Sequence, residues 1–414
     1  MSIIIRFEEF LRLPSFFSRN IGIILWGQRG KLFDRFMFYF SSINLFLTLL
    51  AELWYIISTI STDFITAIMG LSYVSFVVLA EVKFYYLIKY DMKVSTVLKR
   101  LNALFPHTKE EQENIQLIKY LKMSKFYTLF YTVTFMLVIW TYNLYTVSQR
   151  FIYTKILQVR EIERELPYPA IYFWNWQDNW SYFMLYISQS LAGWHATCAQ
   201  ILTDLLICIL ISHLIMHYDH IARSLLNYQS KFAELYGKES TMKCMPKLAR
   251  VMMEERAVRA DMKFLADIIA YHTELLSLTE SLNDVFGVPL FMKFMSSSAI
   301  ICFLGFQMTV NRGFDLLTKL ALFFILSVLQ VYLICHFGQL LIDASTNVST
   351  ALYSQDWTNA DVRYQKMLVL IIKRAQRSAT LKATNFIIIS RATMTEIMQM
   401  SYKFFALIRT MYND

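Results

Sequence analysis

The sequence predicts an all-α protein with seven transmembrane helices, and three observations predict it. Hydrophobic residues make up 56% of the 414 positions, charged residues only 17%, and the mean hydropathy is +0.39. Soluble domains carry about 25% charged residues. Seven apolar runs approach or exceed the roughly 20 residues that a helix needs to cross a bilayer. Gly and Pro number 10 and 6, too few for a turn-rich membrane barrel.

The runs lie near 36–59, 64–88, 126–147, 181–216, 283–310, 316–346 and 384–411. The fourth and sixth exceed one crossing and are expected to continue into water as helices. No repeat stands out and no linker splits the chain. It reads as a segment 1–35, spans one to four within 36–216, a polar helical stretch 217–282, spans five and six within 283–346, a segment 347–383, and a last span with a short tail, 384–414.

Orientation follows from Lys and Arg in the loops. Six lie in 1–35, eight in 89–125, nine in 217–263 and six in 347–383, against none in 60–63, four in 148–180 and one in 311–315. The division is 29 to 5. The remaining six of the 40 fall inside spans, mostly near ends, where long side chains snorkel to the interface. The N-terminus is expected in the cytoplasm and the C-terminus outside, the reverse of a G-protein-coupled receptor. Residues 1–35 have no small-residue cleavage site after a short apolar core, so the first span is expected to be an uncleaved signal anchor. Basic cytoplasmic loops account for the +9 net charge without a nucleic-acid partner.

Residues 217–282 keep a helical period, with Leu248, Val251, Met252, Val258, Met262, Leu265, Ile269 and Leu276 at three- and four-residue steps. A self-contained hairpin and a subunit-contact bundle both fit. Asn179-Trp180-Ser181 is a glycosylation sequon on the expected outer side, so near the fourth span that modification stays open. Asn347-Val348-Ser349 lies on the expected inner side. The five Cys fall in spans or basic loops, which argues against a disulfide framework.

Three constellations bear on chemistry. His213, His217 and His220 are spaced i, i+4, i+7, the pattern of a helical metal box. Membrane desaturases use several such boxes, whereas this chain has seven His in all. A polar helix end is the plainer account, and no catalytic residues, metal ligands or cofactor are assigned. Aromatic residues crowd the outer halves of the spans and the loop 148–180, among them Trp54, Tyr73, Trp140, Tyr142, Tyr145, Trp174 and Trp180. They fit an interfacial belt or a cavity for a small, neutral, hydrophobic ligand. In the last helix Glu396, Gln399, Lys403, Leu407 and Thr410 form one stripe, extended upstream by Asn385 and Ala392, with Ile387, Ile388 and Ile389 on other faces. Intramembrane charge faces a bundle interior or a water-filled path. Packing within the chain and a pore shared among subunits both satisfy that requirement. Leu407 and Met411, at i, i+4, would form a greasy constriction that gates a pore by dewetting.

Residues 335–411 resemble the C-terminal region of insect odorant receptors. The resemblance rests on Gly338-Gln339-Leu340, Ser345, Ala351-Leu352-Tyr353, Asp356-Trp357, Leu368, Arg374-Ala375-Gln376, Leu381, Phe386 and the ending Ser401-Tyr402-Lys403-Phe404-Phe405-Ala406-Leu407. The loop LPYPAIYFWNW with Gln189 is similar to that family's second outer loop. The chain departs from the family at Arg377-Ser378-Ala379, which lacks a Pro, at Thr384, where a Gly is common, and at Lys403, an unusual charge for a cation pore.

The resemblance implies an odorant-binding subunit of a non-selective cation channel, assembled as a heterotetramer with the co-receptor Orco in the plasma membrane of olfactory dendrites. It implies a pore lined by the last helix, here Glu396, Gln399, Lys403, Leu407, Thr410 and Met411, and an anchor bundle of cytoplasmic helix ends. It places the odorant between spans two, three, four and six, which maps by depth to Met69, Tyr73, Trp140, Tyr145, Met184, Ile187 and Ser188. A gustatory receptor shares the plan but usually ends with Gln after Thr-Tyr. A membrane enzyme is the rival from another class.

Overall fold

A computed structural model describes residues 4–24, 32–152, 156, 164–237, 246–310, 313–384 and 386–413. Six of its helices are long and apolar enough to cross a membrane: α2 (Leu32–Thr59), α3 (Phe64–Lys89), α6 (Leu117–Phe151), α7 (Asn179–Leu226), α9 (Lys247–Val310) and α10 (Phe314–Tyr353). Shorter helices are α1 (Arg12–Asn20), α4 (Asp91–Ala103), α5 (Lys109–Asn114), α8 (Lys231–Gly237) and α11 (Val362–Ala375). The last helix, α12 (Arg391–Asn413), has 23 residues and is amphipathic.

The long runs continue past the bilayer. At 1.5 Å per residue, the 48 residues of α7 and the 64 of α9 far exceed a hydrocarbon core of about 30 Å. Helix α7 is the central post, with Ile201 to Leu214 almost wholly buried. Helix α9 runs unbroken from the polar stretch into the fifth span and passes buried Pro289.

Beyond the membrane the ends of α7, α9 and α10 pack with α11. Asp261 of α9 is the polar hub. Its carboxylate accepts from Tyr228 Oη at 2.7 Å, Ser230 Oγ at 2.6 Å and the Lys231 and Phe232 amides at 2.7 and 3.1 Å. It thereby satisfies orphan donors at the start of α8. Gln355 donates to the Leu225 carbonyl at 2.8 Å and accepts from Tyr364 Oη at 2.9 Å. The 3₁₀ turn Phe7–Glu9 tucks Phe7 and Phe10 against His213, at ring centroid distances of 5.0 and 4.4 Å.

The last helix begins seven residues later than the sequence reading placed it. Before it lies a two-stranded hairpin, β1 (Lys382–Ala383) antiparallel to β2 (Ile387–Ile388). Ile387, Ile388 and Ile389 are thus not helical, and Asn385 lies outside the described residues. Thr384 turns the chain at φ 59°. Its amide donates to the Gly287 carbonyl at 3.1 Å, and Asn283 bridges the Lys382 amide and the Thr380 carbonyl at 2.9 and 3.0 Å. The apolar isoleucine run is a docking hairpin, which sequence periodicity cannot separate from a helix turn.

Candidate functional site

A cavity lies in the half of the bundle nearest residues 164–178. Helix α3 contributes Tyr73, Phe76 and Val77, and α6 contributes Phe135, Val138, Ile139 and Tyr142. Helix α7 supplies Ala192, Gly193, Ala196 and Thr197, and α10 supplies Phe323 and Leu326. Thr48 and Glu52 of α2 and Tyr168 of the loop complete it. About 50 Å³ is open to the centre of a water-sized sphere, more than the roughly 10–15 Å³ that one water needs.

The lid is built by the loop. The Tyr168 amide donates to Gln189 Oε1 at 3.1 Å, and Gln189 Nε2 donates to Tyr172 Oη at 3.0 Å. This holds the Tyr168 ring edge-on to Tyr73, 5.8 Å between centroids. A Cβ on Gly193 would lie 2.3 Å from Tyr168 Oη, so only glycine lets the ring lie on α7. Burial, followed by the nearby Glu52 charge, pushes the Tyr168 phenol well above its usual range, and it stays neutral. Tyr73 also stacks on Phe323 at 6.3 Å and 11°. Aromatic pairs at such distances add about 0.5–1.5 kcal/mol each beyond area burial.

Of the residues mapped by depth, Tyr73 lines the cavity. The Met69 side chain is not among those described. Trp140, Met184 and Ile187 turn outward, 59%, 65% and 54% exposed, because the right depth was paired with the wrong helix phase. Tyr145 is half-buried under Lys319 Nζ, 4.2 Å from its ring centroid. Ser188 donates to Asn44 Oδ1 at 2.7 Å, tying α7 to α2. Asn179 is the first residue of α7 and its side chain is not described. The sequence reading missed α2 as a wall, although Glu52 in the first span was a visible signal.

Below the cavity lies a buried ionic cluster. Asp204 of α7 accepts from Lys83 Nζ of α3 at 2.9 Å, and also from Lys293 of α9 and Tyr131 of α6. All three charged side chains are 0–1% exposed. Lys83 donates further to Gln200 Oε1 at 2.5 Å, and Gln200 Nε2 reaches the Phe76 carbonyl at 3.3 Å. Lys83 and Lys293 therefore do not snorkel; they cross-link four helices at mid-bundle. Of the three spaced histidines His220 is half-buried and the other two are buried. His213 and His217 are 1% and 0% exposed, the latter 2.6 Å from Tyr271 Oη through Nδ1. Among the described residues no three His, Cys, Asp or Glu converge on a metal position.

Helix α12 packs on α9 and α10 through Thr393, Ile397 and Ser401, with Ser401 Oγ donating to Ser298 Oγ at 3.1 Å. Glu396, Gln399, Lys403, Leu407, Thr410 and Met411 are all exposed on this subunit.

A family model described as "7tm Odorant receptor" matches residues 63–402. Odorant receptors 85c and 85b of Drosophila melanogaster are 37% and 38% identical, over 98% of this chain and 99% and 100% of theirs. The insect olfactory receptor OR5 from Machilis hrabei, solved in complex with eugenol, has the same fold, with a TM-score of 0.73 at 14% identity over 97% of each chain. With a family model matching residues 63–402 and relatives 37% and 38% identical over nearly the full length, the chain belongs to the insect seven-transmembrane odorant receptor family.

Proposed function

We propose that the chain is the odorant-binding subunit of a non-selective cation channel formed with the co-receptor Orco in the plasma membrane of olfactory dendrites. Its N-terminus faces the cytoplasm, as the 29-to-5 division of basic residues favours. The cavity under Tyr168 is the odorant site, and its walls supply mainly apolar and aromatic contacts. Eugenol in the Machilis receptor supports carrying ligand binding over to a cavity of this kind. Odorant receptors are not enzymes.

The observation that carries the reading is the exposure of the whole polar stripe of α12. Hydrophilic residues at membrane depth need a polar partner, and among the described residues none supplies one to Glu396, Gln399 or Lys403. A tetramer with α12 around its axis turns Glu396, Gln399, Lys403 and Thr410 to water and sets Leu407 and Met411 at the constriction. An odorant shifts the closed–open equilibrium only by binding the open arrangement better. Cavity walls on α3, α6, α7 and α10 reach α12 through α9 and α10, so repacking at the cavity is transmitted as movement of the last helix.

The test is an odour panel applied to cells expressing the chain with and without Orco. Odour-evoked cation current only with Orco is expected. Current from this chain alone, or none from the pair, overturns the reading.

A further inference from the structure

Glu52 is the odd residue in the proposed odorant cavity. It is 1% exposed, and its Oε2 has no hydrogen-bond partner. Among the described residues it makes no ion pair, although its charge is felt by Tyr168 and Tyr172. Three of the other lining hydroxyls have committed their protons: Thr48 to the Asn44 carbonyl at 2.9 Å, Tyr142 to the Lys319 carbonyl at 3.2 Å and Tyr168 to Asn143 Oδ1 at 3.4 Å. The cavity thus offers an apolar, aromatic wall and one unsatisfied carboxyl oxygen. A buried polar atom left without a partner is costly, and the ligand is the group that enters this space.

We infer that Glu52 anchors the hydroxyl of a small alcohol or phenol whose hydrocarbon part fills the aromatic cavity. The carboxyl accepts a hydrogen bond when ionised, and both donates and accepts when protonated. A hydroxyl donates and accepts as well, so it satisfies Oε2 in either state. An ether only accepts and meets just one of the two. Placing the anchor on α2 also gives the first span a part in specificity, because Thr48 and Glu52 sit one helical turn apart on the same cavity wall.

This inference rests on the proposed function, and its test separates the two. Cells expressing the chain with Orco are challenged with a straight-chain primary alcohol, its methyl ether and the alkane of equal length. In the wild type the alcohol is expected to act at a concentration about ten-fold lower than the ether. Glu52→Leu is expected to bring the two within about two-fold while leaving an ether response, which also reports that the variant folds and gates. Glu52→Gln retains donor and acceptor and is expected to keep the alcohol preference. An equipotent alcohol and ether in the wild type, or a preference that survives Glu52→Leu, overturns the inference and leaves the channel reading standing. The wild-type ratio decides even where the leucine variant is silent. No current from the alcohol, the ether or the alkane in the wild type overturns the inference, and the odour panel with and without Orco decides the channel reading by itself.

Discussion

Asp204 shows how one residue organises the middle of the molecule. It holds Lys83, Lys293 and Tyr131 in the buried middle of the bundle, where the three charged side chains are at most 1% exposed. Removing one partner of such a group leaves uncompensated charge, typically costing about 3–5 kcal/mol. Asp204→Asn is therefore expected to abolish most surface expression, read by surface labelling against total protein. Lys83→Met/Asp204→Leu/Lys293→Met is expected to recover a large part of it, because volume-matched apolar groups often replace a buried ionic cluster without loss. Failure of the triple variant to exceed the single one would show that the cluster does more than balance charge. The cluster was legible in principle: Lys83, Asp204 and Lys293 are charges well inside three apolar runs. Assigning the lysines to snorkelling hid it, since a sequence gives depth along a helix far better than it gives the direction a side chain faces. The same gap separates Tyr73, which lines the cavity, from Trp140, which lies at the right depth on an outward face.

At the scale of elements, the hairpin before α12 accounts for Gly338 and sets the backbone of Thr384. Gly338 is glycine because a Cβ there would lie 2.5 Å from the Ile389 carbonyl oxygen, so the hairpin presses directly on α10. Thr384, at φ 59°, is in the left-handed conformation that a β-branched residue resists by about 1–2 kcal/mol. Its hydroxyl donates to the Ala383 carbonyl at 2.5 Å, a local bond that offsets part of the strain. Thr384→Gly removes the clash but adds freedom to the unfolded chain, worth about 0.5–1 kcal/mol. The net expectation is a gain of up to about 1 kcal/mol, seen as a rise of about 1–2 °C in the melting of detergent-solubilised channel. A fall would mean that the hydroxyl bond outweighs the backbone cost. The long helices were legible because each is a long apolar or regularly periodic run. The hairpin was not, because its second strand and the residues around it, Phe386 to Ser390, read equally as the first turn of the last span.

On the scale of the whole molecule, the sequence carried the fold class and the family, while the proposed pore belongs to the assembly and depends on what faces α12. Leu407 and Met411 lie exposed one turn apart near its end. Truncating either weakens an apolar constriction, so Leu407→Ala and Met411→Ala are each expected to raise current without odour, by about two-fold or more, in whole-cell recordings. Unchanged basal current from both would place the gate elsewhere. Lys403 gives a finer test, because its sign opposes the permeant ion. A unit charge about 7 Å from a cation in water repels it by roughly 0.6 kcal/mol, and salt at physiological strength roughly halves that. One such lysine contributed to a ring shared with partner subunits is therefore tolerable, whereas one from every subunit would multiply the barrier. Lys403→Gln is accordingly expected to raise single-channel cation conductance by about two- to three-fold at low salt and by less than two-fold at physiological salt. A conductance indifferent to both the substitution and the salt would mean that Lys403 faces away from the ion path, and with it the polar stripe on which the pore assignment stands.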